Sequence, residues 1–208
     1  VPQKLEFQQI ADIVAYLYPV CRVATAGENA DSSYDLLAIY QTAGTDEGTY
    51  VTSDEIFRNI ARSYCYSLSS RDFNEFMTAL RDIVPRVKRC TDKDLIAVNN
   101  GIFNYQTKQL MPFTPNKVFL AKSKVNYNPN ATNIIIHNDH DNTDWDVESW
   151  MNDLADDPEV VNVLWEILGA IIRPNVSWGK CALFYSETGN NGKGTLCELM
   201  RRLCGDGS

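Results

Sequence analysis

The stretch CALFYSETGNNGKGTLCELMRRLC, residues 181–204, decides how the rest of the chain is read. An apolar run, Cys181–Tyr185, leads into a Gly/Asn-rich turn, and an amphipathic run follows from Thr195. A strand that feeds a glycine turn into a helix N-terminus makes a phosphate cradle, because bare backbone N–H groups and the positive helix end converge on an anion. Gly189, Gly192 and Gly194 permit tight turning and close backbone approach, and Lys193 adds a point charge. The common pattern is G-x-x-x-x-G-K-[ST]. Gly192 and Lys193 match it, whereas Glu187 replaces the first glycine and Gly194 the hydroxyl residue. That hydroxyl normally reaches Mg2+, which leaves Thr195, one position later, as the candidate metal ligand. The strand–turn–helix context favours a cradle over a plain turn with a solvated lysine.

Composition sets the outer bounds. A chain of 208 residues, 44% hydrophobic and 22% charged, is ordinary globular protein with room for one large domain or two small ones. No apolar run is long enough to span a membrane. The patch from Ile10 to Val20 is broken by Asp12 and Pro19 and does not read as a secretory signal. The six cysteines, Cys21, Cys65, Cys90, Cys181, Cys197 and Cys204, form no C-x-x-C pair, so reduced thiols in an intracellular setting are expected.

The net charge of −8 argues against a surface that coats nucleic acid throughout. Its distribution is uneven: residues 1–80 carry −6, residues 81–135 carry +6, and residues 136–208 carry −8. The basic block from Arg81 to Lys124, with Arg86, Lys88 and Arg89 at its densest, is a candidate DNA-facing strip. A solvated face, or a patch that meets an acidic neighbouring subunit, is the other reading of the same block.

Periodicity outlines the elements. Leu5, Ile10, Val14 and Leu17 suit a helix over 5–18. Asp35–Tyr40 and Thr49–Val51 flank a glycine turn as a hairpin. Ser53 is expected to cap a helix over 54–66, and Ser70 another over 71–83 that Pro85 stops. Strands are expected at 95–98, 101–105, 110–113, 118–125 and 134–136. Two helices followed by basic strands also outline a winged helix. The cluster from His137 to Asp146 is read as a polar loop in which Thr143 caps a helix over 144–154, rather than as a metal site. Asp157-Pro158 opens a strongly apolar helix to about Ile172.

The residues E-T-G-N-N-G-K-G-T, 187–195, resemble the variant Walker A loop of superfamily 3 helicases, in particular the phage/plasmid primase–helicase group related to the poxvirus primase–helicase. Gly189, Asn191, Gly192, Lys193 and Thr195 match that loop, and Glu187 departs from it. Upstream, Asn99–Phe103 with Pro112–Pro115, Val125–Pro129, Trp150 with Leu154, Leu164–Gly169, and Ile39-Tyr40 with Gly48–Tyr50 are similar to segments of the same family in the same order.

The resemblance implies an α+β chain of mixed helices and short antiparallel strands. A helical pair then leads to the first strand–P-loop–helix of an α/β AAA+-like ATPase core. It implies boundaries at 1–135 for a mixed N-terminal domain, 136–176 for a helical linker or collar, and 177–208 for the start of the core. Residues 189–195 (Gly189, Asn190, Asn191, Gly192, Lys193, Gly194, Thr195) would bind ATP, with Lys193 as the catalytic cation and Thr195 on Mg2+. The implied partners are DNA, further copies in a hexameric ring, and a primase domain or protein, in the cytoplasm of a bacterial host. This stretch is expected to be inactive alone, since a P-loop ATPase needs further strands and an acidic metal ligand. The alternative is a non-enzymatic DNA-binding or assembly module, winged-helix-like, that uses the basic block 81–124.

Overall fold

A computed structural model of the chain describes residues 5–25, 31–187, 189 and 191–205. The chain divides into two compact units, residues 1–91 with 113–121, and residues 92–112 with 122–208.

In the first unit, α1 (Phe7–Leu17) buries Ile10, Ala11 and Val14 along one stripe. Its start is held by a reciprocal pair in which the Glu6 N–H donates to Gln9 Oε1 at 3.0 Å. A four-stranded sheet in the order β3-β2-β1-β4 comprises β1 (Val20–Ala24), β2 (Leu36–Tyr40), β3 (Tyr50–Val51) and β4 (Arg86–Lys88). β1 runs antiparallel to β2, with Val20 opposite Ile39, and parallel to β4, with Arg22 opposite Arg86. Between β3 and β4 lie α2 (Asp54–Tyr64), capped by Ser53, and α3 (Ser70–Ile83).

The sheet is buried on both faces. Leu37 and Ile39 join Ile10, Val14, Phe57, Phe73, Phe76 and Leu80 on the helical side. Cys21, Val23, Ala38 and Tyr40 pack with Tyr50 and Val118 on the other. The segment 113–121 covers that second face, with Tyr50 N–H donating to Phe119 O at 2.8 Å and the Tyr50 hydroxyl to Pro115 O at 2.9 Å. Two-sided burial explains why β2 reads as a continuous apolar run, LLAIY, rather than as an alternation. Gly48 sits at φ +86°, and a Cβ there would overlap the Phe113 ring, so the turn before β3 accepts only glycine.

The second unit opens with a meander of β5 (Leu95–Val98), β6 (Gly101–Asn104) and β7 (Gln109–Met111). A hairpin follows, β8 (Ile136–Asn138) with β9 (Thr143–Trp145), then α4 (Val147–Asn152), α5 (Pro158–Ile171) and α6 (Lys193–Cys204). The three helices share a core of Met151, Leu164, Leu168 and Leu196.

Several expectations need correction. Ser69, not Ser70, caps α3, with its hydroxyl accepting from Asp72 N–H at 3.1 Å. Asp146, not Thr143, caps the helix after the acidic cluster, and that helix starts at Val147. Asn142 takes φ +55°, its N–H donates to Asn138 O at 2.9 Å, and the cluster closes into the β8–β9 hairpin instead. Residues 118–125 form no regular strand: Val118 and Phe119 accept bonds from Cys90 and Tyr50, whereas the Ser123 N–H donates to Ala97 O. β4 pairs parallel with β1 rather than forming a wing hairpin after α3. Residues 180–187 form no strand either: Leu183 and Tyr185 are 88% and 79% exposed, and only Phe184 of that run reaches the helical core.

Candidate phosphate-binding loop

The loop is positioned from its C-terminal side. Leu196, 2% exposed, anchors the first turn of α6 in the helical core. Gly192 forms the N-cap at φ +79°, and a Cβ there would overlap Cδ2 of Leu154, which lies just past the end of α4. Only glycine meets both demands, backbone and space. With no side chain to cap the helix, the first turn of α6 presents main-chain donors and a positive helix end.

Lys193 is the first residue of α6, and its side chain folds back over the loop. Its Nζ donates to Ser186 Oγ at 2.6 Å and also to Asn191 Oδ1. Asn191 Nδ2 in turn donates to Ser186 Oγ. Lys193, Asn191 and Ser186 are all half-buried, so the ammonium is gathered against oxygen acceptors inside the turn. Ser186 lies just ahead of the nine-residue motif and gave no sequence signal; only the curl of the loop brings it to Lys193.

The other expected members behave differently. A Cβ at Gly189 or Gly194 would meet nothing within 4 Å, so neither glycine is required by the chain's own packing. Gly194 and Thr195 are exposed on the first turn of α6. Asn190 lies outside the described residues.

The basic block is not a uniform strip. Arg86 grips Asp35, Nε to Oδ2 at 2.7 Å and Nη2 to Oδ1 at 3.0 Å, and the Asp35 side chain is 2% exposed. That hydrogen bonding raises the Arg86 pKa further. Arg81 Nη1 adds a bond to Asp35 O at 2.8 Å. Arg86 therefore braces β4 against the residue preceding β2. Lys88 and Arg89 are exposed. In the acidic hairpin, His137 Nδ1 lies 2.7 Å from Asp144 Oδ1. The Ser149 N–H bond holds the Asp146 carboxyl below the usual range. Among the described residues no group of three or more His, Cys, Asp and Glu side chains could hold a metal ion.

Two segments read separately along the chain meet in the second unit. Asn100 Nδ2 donates to Tyr127 O and the Tyr127 N–H to Asn100 Oδ1, both at 2.9 Å, and Asn99 Nδ2 donates to Asn126 Oδ1 at 2.8 Å. The β5–β6 turn thus clamps the 125–129 segment, and the Phe103 and Tyr127 rings stack at 4.3 Å.

A family match over residues 38–164 places the chain in the class of primase–helicase-type replication proteins. The chain belongs to the family described as D5 N terminal like, which matches residues 38–164, more than half of its length. That family is the N-terminal domain of D5-like primase–helicase proteins. The match runs from β2 into α5 and stops before the glycine loop. No curated protein matches the chain. No helix among the described residues is long and apolar enough to cross a membrane.

Proposed function

We propose that this chain serves a phage or plasmid primase–helicase that unwinds DNA at the expense of ATP, and that residues 187–195 are its first phosphate-binding loop. The observation that carries the reading is the Lys193 ammonium turned into the loop, 2.6 Å from Ser186 Oγ, at the mouth of α6. Ser186 Oγ and Asn191 Oδ1 occupy acceptor positions that phosphate oxygens would take over. The residues fit a phosphate chain: a lysine, a left-handed glycine and a helix start converge. Lys193 would lie against the β and γ oxygens, the N–H groups of Gly192–Thr195 against the chain behind them, and the exposed Thr195 hydroxyl beside Mg2+. Bound ATP supplies the phosphoanhydride whose cleavage drives translocation.

The run ahead of the loop forms no strand by itself, so this reading requires strand partners in the assembled protein. Leu183 and Tyr185, both exposed, would become the apolar face of a strand only once neighbouring strands of the assembled protein paired with this run and covered it. In the assembled protein, residues 144–172 would contribute to a collar between copies in a hexameric ring, with the half-exposed Val160 and Val163 on α5 as the contact. Lys88 and Arg89 would face DNA phosphates, and a primase domain or protein would be the further partner.

The test is Lys193→Ala in the intact replication protein, read by binding of a fluorescent ATP analogue and by hydrolysis. Loss of a charge-assisted contact of this kind is expected to weaken binding at least tenfold, about 1.5–3 kcal/mol. Undiminished hydrolysis in K193A overturns the assignment.

A further inference from the structure

We infer that Trp178, with Tyr105, Lys108 and Arg173, forms a stacking site for single-stranded nucleic acid in the second unit. The inference rests on the DNA partner proposed above and assigns that partner's single strand to a surface away from the glycine loop.

Tyr105 ends the β6 side of the β6–β7 turn and is 39% exposed. Its ring carries two cations, Lys108 Nζ at 3.6 Å and the Arg173 guanidinium carbon at 4.0 Å. The same guanidinium lies 5.9 Å from the Trp178 ring, and Trp178 is 51% exposed. Single-strand binders combine these parts: an open aromatic face for a base, and fixed cations beside it for the flanking phosphate.

Bracing alone does not account for the set. The segment after α5 is already tied down, with Arg173 Nη2 donating to Asp94 Oδ1 and to Lys93 O, each at 3.3 Å, and Asn175 Nδ2 to Asp92 O at 3.1 Å. The cation contact of Trp178 to this segment, from Arg173, is a distant one, and half of a large indole stands in water. The Lys108 backbone, by contrast, is tightly fixed. Its N–H donates to Asn104 O at 2.8 Å, its carbonyl accepts from the Tyr127 hydroxyl at 3.1 Å, and it holds φ +58°. A lysine held at that backbone angle over a tyrosine ring is preorganised for a phosphate. Asp94 partly neutralises Arg173, so Lys108 carries the phosphate contact and Arg173 sets the two rings. Duplex DNA keeps its bases stacked and offers no face to Trp178, which is why the ligand is a single strand.

The test titrates the 208-residue chain, without nucleotide, into a fluorescein-labelled oligothymidine of about 15 residues and into a duplex of equal length, by anisotropy over a salt series. Trp178→Ala is expected to weaken single-strand binding about five- to tenfold with the salt slope unchanged. Trp178→Phe keeps the affinity but loses the quenching of tryptophan emission on binding. Lys108→Gln lowers the log–log salt slope by about 0.7. Should W178A not fold, W178F and K108Q carry the same decision. Single-strand binding that survives W178A, or falls equally for the duplex, overturns this site while leaving the DNA partner intact. Failure of the chain to bind either form overturns the DNA partner itself.

Discussion

Leu36–Tyr40 and Cys181–Tyr185 are five-residue apolar runs of nearly the same character, LLAIY and CALFY, and they end in opposite states. The first is β2, flanked by β1 and β3, with Leu37, Ala38 and Ile39 no more than 3% exposed. The second belongs to no helix or strand, and Leu183 and Tyr185 stand in water. A strand is thus a property of its neighbours before it is a property of its residues. β2 has a partner on each edge to take its N–H and C=O groups and a layer on each face to cover its side chains. Among the described residues nothing plays those parts for 181–185.

The largest effect that can break this contrast is a pair of truncations. Phe76→Ala, at a fully buried site in the first unit, is expected to cost about 3–5 kcal/mol. Phe184→Ala, at the one half-buried side chain of the run 181–185, is expected to cost about 1 kcal/mol. Urea titrations followed by circular dichroism measure both. Equal costs would mean that the run is as much a part of a core as β2 is, and the contrast would fall.

The same contrast shows what could be seen in the residues beforehand. α2, α3 and α5 were legible because each carries its own signals: a Ser or Asp cap and an apolar stripe every three to four residues. The slips at their starts are single positions, Ser69 against Ser70, where two adjacent serines compete for one cap. β1 and β4 were not legible. β1 is interrupted by Arg22, and β4 is only three residues, two of them the charged Arg86 and Lys88. Their pairing joins residues remote in sequence, Arg22 with Arg86, and no local pattern encodes it. The interleaving of the two units, with 92–112 in one and 113–121 in the other, is equally invisible to a reading in chain order. In the loop, Gly192 and Lys193 stood out by type, whereas Leu154 and Ser186 are ordinary residues made important by what they touch. The Trp178 cluster escaped for the same reason, since its members are scattered from Tyr105 to Trp178.

A second measurement sharpens the contrast through cysteine. Cys21 lies in β1 beneath Tyr50, and burial pushes its thiol from 9.0 up to about 11. Burial also pushes the Tyr50 hydroxyl up to about 12. Both groups bind their protons more tightly folded than unfolded. Their stabilisation is therefore full below about pH 9 and is lost as pH rises through 11 to 12. The first unit is expected to lose stability over that window, and Cys21→Ala to flatten the lower part of the fall. Cys181, exposed at the head of the uncovered run, should react with Ellman's reagent at pH 8 in the folded chain, and Cys21 only on unfolding. Equal rates for the two thiols would show that the sheet is open to solvent, against the burial on which the contrast depends.

The smallest effect asks whether α6 is held by its own residues or by the run that precedes it. Glu198 receives Arg201 at i+3 and Arg202 at i+4, with Nε to carboxylate distances of 2.8 Å in both pairs. Hydrogen bonds from the two arginines lower its pKa to about 2. A depressed carboxylate contributes above its ordinary 4.5 and is lost as pH falls through about 2, so acid should loosen α6 from its middle turn. The pairs are exposed, and salt at 1 M should screen the contribution away. Glu198→Gln is thus expected to lower the helical signal slightly at low salt and neutral pH, and to have no effect at 1 M salt or at pH 2. Local pairs of this kind are independent of residues 181–187, so F184A should leave the Glu198 effect unchanged. If F184A abolishes it, α6 and the run 181–187 form one cooperative element, and the exposed run is already half of a built strand–loop–helix.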